Sequence, residues 1–455
     1  MSPENRHSHN SRHEAQECEL CKLRKPFVLP DEIVNATENH RLVIFAGAGI
    51  STEARGVFKL TLYEEVRREL NVDAGKRISF PDLMSLYCKR KSRRMLLQKI
   101  KGRFDYMKLF PELYRSATQF HRELSTIYSI EEIVTTNWDD HFERECDATP
   151  IVMPEDFAVF SEIPGRKVIK IHGSVTNYGS VVATKEDYES CYRRLRKTVI
   201  GSVLRVLLSS KTIVFVGYSF QDEDFRRIYQ LLNREVKGLL PSSYVVTLDD
   251  NAKATLTSMR MNITPIITEA TFFLETLKTQ LVKKKFMLPD ERYSGLETAY
   301  ERVYKARRST LGIDSRGHPE NIFSLVYQDG LMHGLEDVIG SKKSGRFSNK
   351  CTLMQMIRTY ERWQKEYLAA RNYWEVAYIE GFMNGLLYFL SSDKKDPKLP
   401  LYYLFGTGDI TDFRDYRELA KNARTLHKSA YSLAARVVAK RIHTAGISLH
   451  HIPFL

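Results

Sequence analysis

The segment "LVIFAGAGISTEARGVF", residues 42–58, sets the interpretation of the whole chain. Its apolar run ends in a glycine-rich turn at 47–49, after which the sequence becomes polar. In open α/β sheets a buried strand delivers such a turn to a pyrophosphate, which free amides at a helix start and a hydroxyl such as that of Ser51 can bind. Glycine is also common in any tight strand-to-helix turn, and Thr52 stands where the dehydrogenase fingerprint has its third glycine. The segment therefore predicts a strand and a turn, and leaves the nucleotide site open.

Residues 31–290 have the pattern of an α/β domain. Short β-branched runs alternate with longer amphipathic segments, and most runs are apolar on both faces, which is typical of parallel strands covered by helices. We predict a Rossmann-like parallel sheet with a helical insert at 60–128, between the first two strands. The basic run "KRKSRRMLLQKIKGR" at 89–103 fits phosphate binding or, more commonly, a solvated face above a buried apolar stripe. The predicted strands are 42–46, 132–136, 167–171, 212–216, 244–248 and 263–267.

Residues 291–455 change character, because strand patterns vanish and helical patterns dominate, and they predict an all-α C-terminal domain for assembly or sensing. Two segments, "YQDGLMHGL" at 327–335 and "YIEGFMNGL" at 378–386, share one pattern whose glycines fall four residues apart. Glycine weakens a helix by about 1 kcal/mol relative to alanine, so these pairs predict close packing against another helix. Both duplication and chance similarity remain open. Apolar residues at steps of four and three over 419–437 predict the narrow seam of a helix pair.

Composition limits the remaining classes of protein. No apolar run approaches the ~18 residues of a membrane helix, so we expect no membrane association. Six cysteines and no apolar leader fit a cytoplasmic protein with reduced thiols. The net charge of +13 is compatible with a polyanionic partner, but basic residues often only solvate a surface.

Residues 1–30 are polar and predict a flexible N-terminal tail. The tail contains a Cys-x-x-Cys pair, which is half of a zinc-type spacing, while the second pair is missing. A flexible tail is the favoured interpretation, and metal binding stays open for His7, His9, His13, Cys18 and Cys21.

Two further predicted strands end in polar clusters that a plain core strand would not need. The strand in "IEEIVTTNWDDHFE" runs into Thr136, Asn137 and Asp139, and "VIKIHGSV" ends in His172. Ligands of open α/β sheets bind beyond the carboxyl ends of the strands, so these groups and the glycine turn predict one crevice. Taken singly, Asn137 fits a turn as well as a binding site, and His172 fits a structural role in the core as well as a catalytic one. Together they favour a site.

Four motifs, in this order along the chain, resemble those of the sirtuin-type NAD-binding domain and its bacterial sirtuin-like branch: GAGIS at 47–51, TTNWD at 135–139, HGS at 172–174 and "VFVGYSFQDEDF" at 214–225. The resemblance implies that NAD is the substrate, that Asn137 and Asp139 lie near its nicotinamide ribose, and that His172 is the catalytic base. Thr136 takes the place of the family's usual glutamine. The cofactor-binding residues that the resemblance implies are Gly47, Ala48, Gly49, Ser51, Thr136, Gly217 and Ser219.

Two departures from the family point to water as the acceptor. Protein-deacetylating sirtuins hold a zinc ion through two Cys-x-x-Cys pairs after the HG motif, whereas residues 175–210 contain only Cys191, so we expect no metal in catalysis. Residues 52–59 retain only part of the family's segment after GAGIS, and no acetyl-lysine groove is evident. The resemblance then implies an NAD hydrolase that releases nicotinamide and ADP-ribose, or a cyclic isomer of ADP-ribose.

The arrangement, a zinc-free sirtuin-like domain with a helical extension, resembles that of a group of bacterial proteins. For that group the resemblance implies a role in anti-phage defence by NAD depletion. It also implies homo-oligomeric assembly and, for some members, a complex with a hexameric HerA-type DNA-translocating ATPase, through which nucleic acid becomes a partner. Two other classes of function stay open. A protein deacylase or ADP-ribosyltransferase would modify an acylated peptide or a protein, and a non-catalytic nucleotide-sensing or nucleic-acid-binding scaffold would bind DNA with steep salt dependence and no NAD turnover.

Overall fold

The structure, a computed structural model, describes residues 22–54, 57–73, 75, 77–218, 226–230, 241–391 and 398–440. The chain divides into two compact units, Met1–Lys283 and Lys284–Leu455. The first contains the sheet and the second is helical.

The first unit is built on a parallel sheet, as predicted. The described residues form seven strands in the order β3-β4-β2-β1-β5-β6-β7, and every neighbouring pair is parallel. The six predicted strands are present, with bounds that differ by no more than one residue. The seventh, β3, was not predicted, because three residues with a central proline carry too little pattern, and at the sheet edge that proline is tolerated. The strands are β1 (Leu42–Ala46), β2 (Glu132–Thr135), β3 (Thr149–Ile151), β4 (Lys167–Lys170), β5 (Thr212–Val216), β6 (Ser243–Thr247) and β7 (Thr264–Ile267).

Helices cover both faces of this sheet, which explains why its central strands are apolar throughout. All five residues of β1 and all five of β5 are buried. Phe45 and Phe215 pack on one face against α8 and α9, and α1 and α11 cover the other face. The named helices of this unit are α1 (Asp31–Glu38), α2 (Leu62–Glu69), α3 (Phe80–Arg90), α4 (Arg93–Leu109), α5 (Pro111–Ala117), α6 (Gln119–Ser125), α7 (His141–Cys146), α8 (Lys185–Lys197), α9 (Val199–Ser210), α10 (Ala252–Ser258) and α11 (Ala270–Lys283).

The predicted helical insert corresponds to α2–α6. Several cations of its basic run are held by neighbouring groups of the same unit: Arg93 pairs with Asp187 at 2.6 Å, and Lys99 with Glu69 at 2.9 Å. Arg103 is buried and pairs with Glu53 at 3.3 Å. These contacts favour the structural interpretation of the run over phosphate binding.

Part of the predicted flexible tail is held against α11 and the loop after β6. Arg24 forms two hydrogen bonds of 3.1 Å to Glu275, and Lys25 pairs with Asp250 at 2.7 Å. Phe27 lies with its ring centroid 6.1 Å from that of Phe273. The polar composition concealed this anchor, because one aromatic ring and two ion pairs fix residues 22–30. His7, His9, His13, Cys18 and Cys21 lie outside the described residues.

The helical unit is centred on a close crossing of two helices, α13 and α15. Cβ atoms added at Gly330 and Gly381 would lie 2.0 Å from the carbonyl oxygen of Tyr378 and 1.9 Å from that of Tyr327. The prediction that the glycines mark close helix packing is therefore confirmed, and each helix is the partner of the other. The named helices of this unit are α12 (Leu296–Leu311), α13 (Asn321–Ser341), α14 (Lys350–Ala369), α15 (Tyr373–Ser391), α16 (Phe413–Ala420), α17 (Ala423–Leu426) and α18 (Lys428–Lys440).

The predicted seam over 419–437 is wrong as one continuous helix. The chain forms α16, α17 and α18 in succession, and His427 leaves the helical conformation with φ −145° and ψ 86°. Leu419 and Leu426 are 38% and 37% exposed, while alanines of this segment are buried. Ala423 and Ala430 of the predicted seam are buried, and Leu433 and Val437 are partly buried against the helical core, so part of the predicted spacing does mark the buried face. Within the described ranges, no helix is both long and apolar enough to cross a membrane.

Candidate functional site

The polar residues singled out from the sequence lie at the carboxyl ends of neighbouring strands of the sheet. In the order β4-β2-β1-β5, the carboxyl ends lead into His172, Thr136, Gly47 and Gly217. The chain leaves β1 for β2 on one side, while β5 pairs with the other side of β1. Such a switch of direction opens a crevice at the carboxyl edge of a doubly wound sheet.

The glycine turns after β1 and β5 lie against each other. The amide of Gly47 donates to Val216 at 2.8 Å, and the amide of Gly49 donates to Gly217 at 3.0 Å. Cβ atoms at Gly47 and Gly49 would lie 2.7 and 2.9 Å from the carbonyl oxygen of Gly217, which itself has a φ of +71°. Contact between the two turns is thus a sufficient reason for all three glycines.

This geometry corrects one expectation about the turn. Residues Ala48–Ile50 form a single 3₁₀ turn instead of the start of a long helix, and the amides of Gly47 and Gly49 already bond to carbonyls. They are therefore not free donors for a pyrophosphate. Ala48 is half-buried and Gly49 exposed, so the surface of the turn faces the opening of the crevice.

The carbonyl of Ala46, the last residue of β1, joins three strand ends. It accepts hydrogen bonds from the amide of Thr136 at 3.2 Å, from the hydroxyl of Thr135 at 2.9 Å and from the hydroxyl of Tyr218 at 3.0 Å. The Tyr218 hydroxyl also lies 3.0 Å from Thr136 Oγ1. Sequence reasoning missed Tyr218; its only signal was a hydroxyl-bearing aromatic residue directly after Gly217. Ser219, which follows it, lies outside the described residues.

Asn137 is held in one orientation with one polar atom left over. Its side chain is buried, its Nδ2 donates to the carbonyl of Gly47 at 3.1 Å, and its backbone amide donates to Thr135 Oγ1 at 3.0 Å. Asn137 Oδ1 is buried and has no hydrogen-bond partner. A buried acceptor without a donor is costly, and it is commonly satisfied by a ligand or a water.

Asp139 and Ser51 form a buried pair below the glycine turn. Ser51 Oγ donates to Asp139 Oδ2 at 2.8 Å, and the backbone amide of His141 donates to Oδ1 at 3.3 Å. Burial raises the pKa of Asp139, but His141, His121, the Lys170 ammonium and the Ser51 hydroxyl together lower it to about 2. The single proton of Ser51 is therefore given to Asp139, so in this arrangement Ser51 is not the hydroxyl donor to a pyrophosphate that the sequence suggested.

His172 is buried at the carboxyl end of β4, the strand next to β2. Ile171 donates to the carbonyl of Thr135 at 2.9 Å, and Val175 donates to the carbonyl of Trp138 at 2.8 Å. These two bonds keep the segments carrying Asn137 and His172 side by side after their strands end. The His172 ring centroid lies 4.9 Å from that of Tyr188, which packs over the imidazole.

Sequence reasoning also missed a group of buried ionisable residues behind Asp139. Lys170, on β4, is fully buried, as are His121 of α6 and His141 of α7, whose ring centroids are 5.3 Å apart. Burial is the main reason why the pKa of His121 falls to about 3, so this imidazole is neutral at pH 7. A lysine within the otherwise apolar "VIKI" was the available signal.

Within the part of the chain that the structure describes, no group of three or more His, Cys, Asp or Glu side chains is arranged to hold a metal ion. The parallel sheet, its switch point and the paired glycine turns define an α/β protein of the doubly wound class, with a buried amide, carboxylate and imidazole at the carboxyl ends of its strands.

Comparison with known proteins narrows this class. Residues 131–266, which contain the second, third and fourth of the four motifs, match the family described as "SIR2-like domain", and this match confirms the sirtuin-like resemblance over that part of the chain. The chain is similar to "NAD(+) hydrolase ThsA" of Cytobacillus dafuensis, with 29% identity over 206 residues that cover 44% of this chain and 40% of that protein. It is similar to the protein of the same name from Enterococcus faecium, with 30% identity over 212 residues covering 44% and 42% of the two chains.

A longer but weaker match is with "Defense-associated sirtuin 2" of Bacillus subtilis, with 20% identity over 305 residues. It covers 61% of this chain and 27% of that protein. The chain thus matches less than half the length of each of these curated relatives.

Proposed function

We propose that this chain hydrolyses NAD at the bond between nicotinamide and ribose, giving nicotinamide and ADP-ribose. The observation that carries the proposal is the buried Oδ1 of Asn137, which has no hydrogen-bond partner although Nδ2 of the same amide is fixed on Gly47. An acceptor held in this way suits a hydroxyl of the ribose or the attacking water. The curated relatives named NAD(+) hydrolase support the choice of NAD as the substrate.

The bond to be cleaved explains the residue types at this edge. Nicotinamide leaves NAD as a neutral molecule that takes the bonding electron pair, and positive charge builds on the ribose as an oxocarbenium-like species. The carboxylate of Asp139 stabilises that charge, because its low pKa keeps it ionised at neutral pH. Asn137 Oδ1 orients the water that attacks the anomeric carbon, and His172 accepts the proton that the water loses.

The remaining site residues bind the rest of the dinucleotide in this proposal. The turn containing Gly47, Ala48, Gly49 and Ser51 lies against the pyrophosphate, mainly through its exposed surface since two of its amides are occupied. Thr136 is half-buried at the opening beside the ribose, and Gly217 and Ser219 are assigned to the adenine side. No metal takes part in the steps that these residues perform.

The experiment that tests this function follows nicotinamide and ADP-ribose by chromatography after the purified protein is mixed with NAD. Asn137→Ala and His172→Ala are each expected to abolish nicotinamide release while the circular dichroism spectrum is retained. The matched controls are Asn251→Ala and His40→Ala. Asn251 is exposed, and His40 lies beside Glu131 at the amino ends of the strands, away from the proposed site. Wild-type turnover in either site variant would reject the role of that residue, and no turnover by the wild type under any activating condition would reject the function.

We further propose that the activity serves anti-phage defence and is held in check by assembly of the chain as a homo-oligomer, with the helical unit as the assembly or sensing part. The relative named defense-associated sirtuin supports the first point. The cytoplasm and a HerA-type ATPase partner stay predictions from the resemblance. Light scattering with and without that partner, together with NAD levels in phage-infected cells that carry wild-type or His172→Ala protein, tests this part.

A further inference from the structure

Lys170 is an unusual residue for a central strand, because its side chain is fully buried within the run "VIKI". Val168, Ile169 and Ile171 around it belong to the apolar core. Removing an ammonium from water is strongly unfavourable unless it is paired and hydrogen-bonded. A buried lysine at the last position of β4, two residues before His172, therefore calls for a reason.

Its contacts connect β4 to the segment that carries Asp139. Lys170 Nζ donates a hydrogen bond to the backbone carbonyl of Asp139 and forms an ion pair of 3.1 Å with Glu143 Oε1. Glu143 lies on α7, and its side chain is 15% exposed. The ammonium thus holds the Asp139 peptide directly, while Glu143 balances its charge.

The other groups around Asp139 come from three elements. Ser51 donates from the turn after β1, the amide of His141 donates from the start of α7, and the His121 imidazole packs in from α6. His121 is neutral at pH 7, since burial lowers its pKa to about 3. The His141 imidazole lowers the pKa of Asp139 most, followed by His121 and Lys170, and of these three Lys170 is the one that bonds to the Asp139 backbone carbonyl.

We propose that Lys170 is a positioning residue for NAD hydrolysis: it fixes the Asp139 peptide, so that the Asp139 carboxylate stays turned toward Ser51. The inference rests on the function proposed above and deepens it. Lys170 does not touch the substrate in this scheme. It acts on the segment 137–139, whose other fixed points are the bonds of Asn137 to Gly47 and Thr135.

The test compares two full-length variants. Lys170→Met alone leaves Glu143 buried without its cation and is expected to lower stability. In the double variant Lys170→Met with Glu143→Gln the buried charges are removed together, so the fold is expected to persist. Its kcat is expected to fall by about 100-fold, the usual effect of a small misplacement in an active site. The titration of the Asp139 carboxyl group itself is expected to move upward by about one pH unit or more, because the carboxylate has lost a nearby cation. It is measured directly, since protonation of His172, the proposed base, sets the acidic limb of kcat/KM.

The matched control is Lys211→Met with Glu132→Gln. This double variant removes a half-buried ion pair of 2.6 Å at the amino ends of the strands of the same sheet. This control is expected to keep the kcat of the wild type and the titration of Asp139. A second readout does not depend on activity. The carboxyl ¹³C resonance of Asp139, assigned by its loss in Asp139→Asn, is expected to stay in the ionised form in the wild type as the pH falls and to titrate at a higher pH in the double variant.

A double variant with wild-type kcat and an unmoved Asp139 resonance would overturn the inference. If the double variant does not fold, the wild-type resonance decides, because protonation of Asp139 in the folded protein near its ordinary pKa of about 4 overturns the inference and ionisation well below that pH supports it. If the wild type releases no nicotinamide, the proposed function fails, whereas the resonance comparison still decides the role of Lys170.

Discussion

Among single residues, Ser51 and Asp139 form a buried hydrogen bond that joins the turn after β1 to the segment after β2. Both residues were selected from their motifs, but they lie 88 positions apart and nothing in either motif indicates that one donates to the other. Asn137 was likewise found, whereas its contact with Gly47 was not. Lys170 was missed because it is the last residue of the apolar strand β4, and Tyr218 because it follows the apolar strand β5. In both cases the apolar pattern of the strand drew attention away from the polar group. Motifs give residue types, and the hydrogen-bond partners come only from the fold.

The Ser51–Asp139 bond predicts a measurable loss of stability. A hydrogen bond to a charged group contributes about 1.5–3 kcal/mol, so Ser51→Ala is expected to lower the free energy of unfolding by that amount. The control is Ser129→Ala, because Ser129 is equally buried but its hydroxyl has no hydrogen-bond partner. Urea unfolding measures both variants. Equal midpoints for the two would contradict the assigned bond.

His121 predicts a pH dependence of a definite sign. Its pKa is about 3 in the folded protein against an ordinary 6.5, so below pH 6.5 the unfolded chain binds a proton that the folded chain does not. Stability is therefore complete above pH 6.5 and falls as the pH drops toward 3, by at most about 1.4 kcal/mol per pH unit for this one group. In His121→Phe, urea unfolding from pH 7 to pH 5 is expected to show a smaller loss than in the wild type.

His40 provides a control of opposite sign for the same experiment. The hydrogen bond to Glu131 raises the pKa of His40, so this group adds stability at pH values below 6.5 and loses it as the pH rises. His40→Phe is accordingly expected to make the acid loss larger. The same direction of change in both histidine variants would show that the assignment of the buried imidazole is wrong.

At the scale of elements, the sheet could be predicted because burial on both faces makes its strands apolar throughout. The exceptions have physical reasons. The edge strand β3 is short and carries Pro150, and the apolar residues over 419–437 are divided among three short helices, whose breaks the spacing of apolar residues does not indicate. The glycine pairs in α13 and α15 correctly predicted close helix packing. Glycine is unfavourable inside a helix, so its presence there indicates that the backbone of a neighbouring helix lies too close for a side chain.

The crossing of α13 and α15 predicts opposite effects of one substitution at two glycines. Gly381→Ala would place a Cβ 1.9 Å from the carbonyl oxygen of Tyr327, so the helices must separate, at a cost of about 1–3 kcal/mol or more for overpacking. Gly340→Ala, near the end of α13, would place a Cβ with nothing within 4 Å and is expected to gain up to about 1 kcal/mol from helix propensity. Thermal unfolding of the two variants checks this prediction. A stabilising Gly381→Ala would refute the close crossing.

At the scale of the whole molecule, the tryptophans make substrate binding observable without turnover. The chain has three, of which Trp138 lies between Asn137 and Asp139 while Trp363 and Trp374 belong to the helical unit. A variant with Trp363→Phe and Trp374→Phe leaves Trp138 as the only indole. Its fluorescence then reports the unfolding of the segment that carries the proposed site.

A non-hydrolysable NAD analogue is expected to stabilise the folded protein in this single-tryptophan variant. A ligand that binds only the native state adds about 2.7 kcal/mol when its concentration is 100 times its Kd, so the urea midpoint reported by Trp138 should move upward with analogue concentration and with no plateau. Asn137→Ala in the same background is expected to shift less at equal concentration, because the amide oxygen no longer meets the ribose or its water. An unchanged midpoint at millimolar analogue would mean that this edge of the sheet does not bind the dinucleotide, and the proposed hydrolysis would lose its site.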